Sequence, residues 1–600
     1  MPLPIEDYAA IGDGSSVALV GRDGSIDWLC LPRFDSPACF AALLGDERHG
    51  RWLLGPVDDY RTERRYVGDT GVLETTFITD TGRVQITDLM PVNDHRHDVV
   101  RRIRGASGTV RMRHEWTVRL GYGRIRPWVH RERRDDTELI VAVAGPDKLV
   151  LFGPRLPVAD DGTHRDEFDV SAGDELTFST TWVASHRRVP ELLSFDDRIR
   201  STIAEEQSWA DACDYRGPWR DQVVRSLVTL RGLTHAETGG IVAAPTTSLP
   251  ENFGGERNWD YRYCWLRDAA LTLEALLAAG RSDEAKLWRA WLLRAVAGDP
   301  EDLQIMYTVD GGRFLPEYEL DHLPGYAGSR PVRIGNGAVN QRQGDVLGEV
   351  LQALQLAREA RIDETTDSWA LQRVLVNELG ERWDQPDHGL WEIRGPQRHF
   401  THSRVMVWVA FDRGIRAIEQ HGLPGPLKRW RWLRMQVRQE ILTRGFNESR
   451  NSFTQHYDTT EVDASLLVIP QVGFLPGDDP RVLGTIEAVE NDLLRDGLLL
   501  RYRTETGVDG VAGDEHPFLA CSFWLVSAYA HAGRTADAHQ LMERLLTLCN
   551  DVGLLSEEYD VHGARMAGNF PQAFSHLALV GAAMTLQDAP SPTTTPMAEP

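Results

Sequence analysis

Hydrophobic positions along the chain follow two regimes that change near residue 191. Before that point, short alternating or apolar runs recur at 16–20, 26–30, 72–77 and 139–143. Turn signals such as Gly21-Arg22-Asp23-Gly24, Thr79-Asp80-Thr81-Gly82 and Asp160-Asp161-Gly162 separate them. Many short strands without intervening helical periods predict antiparallel sheets packed as a sandwich. After a helical linker over 192–213, the period lengthens to that of helices. The helical segments are 218–236, 269–280, 283–298, 344–361, 366–382, 402–421, 426–443, 463–469, 480–495, 518–532, 534–549 and 572–586. Twelve segments are the number that six α-hairpins need to close a double-layered barrel. The expected organisation is a β-sandwich at 1–190, a linker at 191–217, an (α/α)6 barrel at 218–587 and a disordered tail at 588–600 rich in Pro, Thr and Ser.

Long loops at 239–268, 306–343, 384–401 and 551–571 separate the helical segments. Long loops on a rigid scaffold are where chemistry is expected. One of them ends in Asn258-Trp259-Asp260-Tyr261-Arg262-Tyr263-Cys264-Trp265-Leu266-Arg267-Asp268, directly before an apolar helical run. Ring surface together with fixed forks of donors and acceptors suits a sugar, which has an apolar C–H face and a rim of hydroxyls. A Trp-rich connector whose charges pair with each other fits the same letters.

Composition narrows the classes. The 600 residues exceed what one core supports, and 42% hydrophobic with 26% charged residues is ordinary for a globular protein. A net charge of −24 argues against nucleic acid and anionic membrane as partners. Six cysteines without C-x-x-C spacing point to a reducing compartment. With no secretory signal and no apolar run long enough to span a bilayer, a cytoplasmic location is expected. Oligomerisation stays open.

Two carboxylate motifs stand out. Gly389-Leu390-Trp391-Glu392-Ile393-Arg394-Gly395 puts a glutamate between apolar neighbours, where desolvation favours the protonated form that a general acid needs. A surface glutamate paired with Arg394 is the plain alternative. Ser556-Glu557-Glu558-Tyr559-Asp560 crowds three carboxylates, which repel one another unless they diverge or one is used; a solvated acidic loop reads the same way. Glu392 and Glu557 are far apart in sequence, and a barrel of α-hairpins returns alternate loops to one rim. Carboxylates about 6.5–9.5 Å apart, with room for a water, give inverting glycoside hydrolysis. The stretch 94–98 has metal-binding letters but lies near a strand end, and neither metal nor cofactor is expected. Gly12-Asp13-Gly14 and Gly335-Asn336-Gly337 lack a nucleotide-cradle pattern.

Gly24-Ser25-Ile26-Asp27-Trp28-Leu29-Cys30-Leu31-Pro32-Arg33-Phe34-Asp35-Ser36-Pro37, the 258–268 run, Gln304-Ile305-Met306-Tyr307, Leu390-Trp391-Glu392 and Ser556-Glu557-Glu558-Tyr559-Asp560 occur in one order. Together they resemble the bacterial glucoamylase-like glycoside hydrolases of family 15, from about residue 5 to 587. The resemblance implies a β-sandwich, a linker, an (α/α)6 barrel, and inverting release of β-glucose from the non-reducing end of α-glucosides. It implies Glu392 as general acid and Glu557 as general base. Arg267 and Asp268 would grip glucose hydroxyls, with Tyr261, Trp265 and Trp391 lining the same subsite. Arg33, Phe34 and Asp35 would reach the barrel rim from a sandwich hairpin. Two departures touch the site: Glu558 stands where fungal members have Gln, and Asp514-Glu515-His516-Pro517-Phe518 carries a His and a Pro where the family has small residues. The expected substrates are isomaltose, isomalto-oligosaccharides or malto-oligosaccharides, with α,α-trehalose hydrolysis as the alternative and an inactive sugar-binding relative behind both.

Overall fold

The computed structural model describes residues 2–93, 95–134, 137–299 and 302–588. The expected disordered tail therefore falls almost wholly outside the described residues, as does Asp94 of the 94–98 stretch.

From Tyr8 to Ala184 the chain forms antiparallel β-structure in two layers joined by one long strand, His97–Thr117. Its first half pairs with Gly82–Leu89 and Glu175–Ala184, and its second half with Arg51–Pro56 and Thr163–Ser171. The strand turns the corner between layers at Gly105 and Gly108. A Cβ on Gly105 would lie 1.9 Å from Ser171 O, so only glycine lets the neighbouring backbone this close. Trp52 and Trp116 fill the space between the layers. The Trp52 and Trp116 indoles donate to His114 Nε2 and Thr180 Oγ1, each at 3.0 Å, so the large rings enter the core without an orphaned N–H. Arg101, fully buried on the same strand, is forked onto Asp88 and donates to Trp52 O and Gly24 O.

Helix α1 (Phe195–Asp211), capped by the Ser194 side chain, leads into the helical half. There follow α2 (Arg220–Gly232), α3 (Leu266–Ala278), α4 (Ser282–Ala295), α5 (Val346–Glu359), α6 (Thr366–Arg382), α7 (Thr401–His421) and α8 (Leu427–Glu440). A 3-10 helix at Ala464–Val468 precedes α9 (Pro480–Leu493), α10 (Leu519–His531), α11 (Thr535–Leu546) and α12 (Ala573–Asp588). Helices α3, α5, α7, the 3-10 helix, α10 and α12 pack in cyclic order, α12 returning to α3, while α2, α4, α6, α8, α9 and α11 lie outside them. This is the (α/α)6 barrel.

Burial explains which helix goes where. α10 is buried at every position from Leu519 to Tyr529 and α7 from Thr401 to Ile415, whereas outer α8 buries only Trp430, Leu433 and Val437. A helix apolar all round belongs inside, and one with a single stripe belongs outside. α5 and α7 approach so closely that a Cβ on Gly348 would lie 2.2 Å from Met406 O. The inner element expected at 463–469 is only a short 3-10 turn. Pro470 brings no N–H to continue it, and Gly473 takes φ 75°.

The two halves share a polar seam. Arg262, fully buried, pairs with Asp260 at 2.7 Å and donates to Ser36 O and Tyr122 Oη of the sandwich at 2.9 Å each. Trp28 Nε1 donates to Pro245 O at 2.8 Å. Among the described residues no helix is long and apolar enough to cross a membrane.

Candidate active site

The 258–268 run splits its residues between two tasks. Asn258–Asp260 pairs with Thr247–Pro250, Cys264–Trp265 pairs with Met306–Tyr307, and α3 starts at Leu266. These ribbons turn Asp260 and Arg262 toward the sandwich. Trp259, Tyr261, Trp265, Arg267 and Asp268 instead line a cavity of about 760 Å³, its mouth included, at one end of the barrel. The pattern of rings and charges at 258–268 is thus half structural tie and half cavity wall.

Arg267 organises one side of this cavity. Its Nε donates to Asp268 Oδ2 at 3.0 Å and its Nη1 to Leu390 O at 2.7 Å. Its Nη2 lies 3.5 Å from Glu392 Oε1. A guanidinium can hold a loop carbonyl, a carboxylate and a second carboxylate at once because its donors form a rigid fork.

Glu392 sits on a loop that several contacts fix. Asp387 Oδ1 accepts from Gly389 N at 2.9 Å, and Gln341 Nε2 donates to Glu392 O and Ile393 O at 3.0 and 3.1 Å. Asp509 O accepts from Arg394 N at 2.7 Å and from Gly395 N at 3.0 Å. Glu392 itself has φ 56°, in the left-handed region that a side chain disfavours. Such a conformation persists where surrounding bonds over-determine it. Desolvation raises the Glu392 pKa; the Arg267 charge opposes this and the Asp268 charge adds to it. The carboxyl remains 19% exposed and fronts the cavity, in a state that favours holding a proton. Trp391 beside it donates to Asp463 Oδ2 at 3.2 Å and packs against Phe518, Trp524 and Tyr502.

Glu557 lies behind the part of the wall that Tyr261 forms. Tyr261, which lines the cavity, donates its hydroxyl to Glu557 Oε1 at 2.8 Å, and Asn569 N donates to Oε2 at 3.1 Å. A Cβ on Gly568 would stand 2.6 Å from that same Oε2. Burial pushes the Glu557 pKa up to about 8, the Glu251 charge adds to this, and Arg501, Tyr261 and Asn569 oppose it.

Behind Glu557 lies a carboxylate cluster. Glu251, Glu515 and Glu558 bring oxygens within 4.8 Å of one another, a spacing that suits a cation, and the Arg501 guanidinium supplies that charge. Arg501 forks onto Glu515 at 3.0 and 2.6 Å and reaches Glu251 at 2.9 Å and Glu558 at 3.2 Å. Burial and mutual repulsion raise the pKa of both Glu515 and Glu558.

Three expected site residues stand elsewhere. Arg33 and Asp35 do not line the cavity. Arg33 pairs with Asp35 at 3.0 Å and with Asp310 at 2.5 Å, and Asp35 accepts from Val309 N, so the sandwich hairpin braces the 308–312 turn instead. Glu558 is fully buried, faces Arg501 and accepts from His516 N, because its strand neighbour Glu557 takes the opposite face. Conversely, Glu251, Arg257, Asn336, Arg501, Tyr502, Asp509 and Gln572 line the cavity and were not singled out above. Arg501 carries a legible signal, since it closes the apolar run Leu498-Leu499-Leu500 where an unpaired charge would be costly.

Known proteins resemble this chain along most of its length. Residues 217–584 match the profile described as Glycosyl hydrolases family 15, and residues 1–173 the one described as Trehalase-like, N-terminal. A trehalase of Mycolicibacterium smegmatis is 37% identical, the match covering 96% of this chain and 90% of that protein. A trehalase of Thermoplasma volcanium is 32% identical over 98% of this chain and 94% of its own length. The crystal structure of a bacterial glucoamylase complexed with acarbose superposes with a TM-score of 0.74 at 12% identity, covering 98% of this chain and 94% of that one. With the catalytic-domain profile spanning more than half of the chain and relatives aligned along nearly all of it, this protein belongs to glycosyl hydrolase family 15.

Proposed function

We propose that the protein hydrolyses α,α-trehalose with inversion, Glu392 acting as general acid and Glu557 as general base. The observation that carries the choice of trehalose is the similarity to trehalases along almost the whole chain, sandwich included. It moves trehalose ahead of the isomaltose and malto-oligosaccharide reading drawn from motifs alone. The geometry supports the chemistry. Glu392 fronts the cavity in an environment that favours its proton, and Arg267 and Asp268 present fixed partners for sugar hydroxyls beside it.

In this reading the C1–O bond of the bound glucose breaks as the Glu392 proton passes to the leaving oxygen. A water beside the Tyr261 hydroxyl attacks C1 from the other face and gives its proton to Glu557. The attacked glucose emerges as the β-anomer. The departing glucose keeps its own C1–O bond and emerges as the α-anomer.

Initial rates on trehalose, isomaltose and maltose, followed by proton NMR at early times, test both parts. Trehalose should be the preferred substrate and should yield the two anomers in equal amounts. Preference for isomaltose or maltose would remove the trehalose assignment, and α-glucose alone would remove inversion.

A further inference from the structure

We propose that Asp509 is the positioning residue of the Glu392 loop: it ties that loop to the cavity wall formed by Arg257 and Tyr502. The inference rests on the reading of Glu392 as general acid and goes beyond it.

Asp509 is 2% exposed and uses every acceptor it has across the gap between two loops. Its main-chain carbonyl takes the two N–H groups that directly follow Glu392 and Ile393, those of Arg394 and Gly395. Its carboxylate takes Arg257 Nη2 at 2.6 Å and Tyr502 Oη at 3.1 Å, and turns back to Val511 N at 3.2 Å. Arg257, Tyr502, Asp509, Val511 and Arg394 all line the cavity that holds Glu392. One residue therefore joins the backbone beside the acid to the side chains that form the wall.

The contact leaves no slack. Gly510 has φ 70°, and a Cβ there would lie 2.7 Å from Gly395 N; a Cβ on Gly395 would lie 2.8 Å from Val508 O. Two glycines facing each other allow the backbones to meet. Glu392 needs such a restraint because its own left-handed conformation is unfavourable; the bonds from Gln341 hold only carbonyls of the loop, and Arg267 adds Leu390 O and, at 3.5 Å, the carboxylate itself.

Proton delivery is sensitive to this restraint. A sugar leaves as an alkoxide unless its oxygen is protonated as the C1–O bond breaks, and a misplacement of about 1 Å lowers a positioned reaction by about 100-fold. Fluoride leaves as a stable anion when C1–F breaks and needs no proton. Loosening the tie should therefore harm hydrolysis of trehalose much more than that of α-glucosyl fluoride.

The full-length protein and its Asp509→Ala, Asp509→Asn and Gly510→Val variants are assayed on both substrates. For Asp509→Ala and Gly510→Val, kcat/KM on trehalose should fall by about 100-fold and on the fluoride by less than about tenfold. Asp509→Ala keeps the main-chain carbonyl but releases it from Arg257 and Tyr502, whereas Asp509→Asn retains a side-chain acceptor for Arg257, so Asp509→Asn should lie between those two variants and the parent. Equal losses on the two substrates, or unchanged trehalose hydrolysis in folded Asp509→Ala, overturn the proposal. If Asp509→Ala fails to accumulate, the substrate ratio in Asp509→Asn decides. Glu392→Gln in the same pair of assays separates the two ideas: equal loss on both substrates there removes the acid assignment itself. If the parent ignores trehalose, maltose or isomaltose supplies the sugar leaving group and the comparison stands.

Discussion

Replacing Tyr261 by Phe removes one hydroxyl and leaves the ring that packs edge-on against Trp265 at 5.6 Å between centroids. That hydroxyl donates to Glu557 Oε1 at 2.8 Å, a bond that favours the ionised carboxylate. A hydrogen bond to a charged group contributes about 1.5–3 kcal/mol, and about 1.4 kcal/mol corresponds to one pKa unit. Tyr261→Phe should therefore raise the Glu557 pKa by about one to two units from its already raised value of about 8. The base works only when ionised. Its ionised fraction at pH 7 should thus fall by about 10- to 100-fold, and the acid limb of kcat/KM should move up by the same one to two units. A pH profile of kcat/KM on trehalose reads this directly, because that ratio reports the free enzyme. Activity lost equally at every pH, with the acid limb unmoved, would refute Glu557 as the titrating base.

The remaining predictions concern neighbouring groups. Glu251→Gln removes the charge that most raises Glu557 after burial itself, so the acid limb should move to lower pH; movement the other way would show that Arg501 had been displaced rather than a repulsion relieved. Gly568→Ala forces a Cβ to 2.6 Å from Glu557 Oε2 at φ 74°, and kcat should drop by about tenfold or more while the fold, followed by circular dichroism, persists. Arg262→Met leaves the buried Asp260 carboxylate without its ion partner at the seam between the halves, which should destabilise the protein by about 3–5 kcal/mol and lower Tm measurably.

Much of the architecture was legible because periodicity reports burial. The inner and outer helices differ in the width of their apolar stripe, and α7 and α8 show this contrast side by side in sequence. The long strand His97–Thr117 was harder to read. Its Arg101 and Arg102 interrupt the alternation, yet both are buried because Asp88 and Asp196 meet them. Pairing across the fold has no local signature. The site divided in the same way. Rings and charges at 258–268 marked the neighbourhood, but the chain could not say that Arg262 turns to the sandwich while Arg267 turns to the cavity. The motif containing Glu557 and Glu558 likewise could not show which glutamate faces Tyr261 and which faces Arg501. Asp509 and Glu251 were missed because their importance lies in backbone and side-chain bonds to residues far away in the chain.

The left-handed backbone at Glu392 also bears on how the protein responds to selection. A side chain in that region is disfavoured by about 1–2 kcal/mol, and glycine is not. Glycine at 392 would thus relieve strain in the folded chain while removing the carboxyl assigned here as the proton donor. Stability and turnover pull in opposite directions at this one position. A library sorted for heat resistance alone would favour inert chains at residue 392, whereas sorting on glucose release after heating would keep the glutamate and direct stabilising changes to the rest of the barrel.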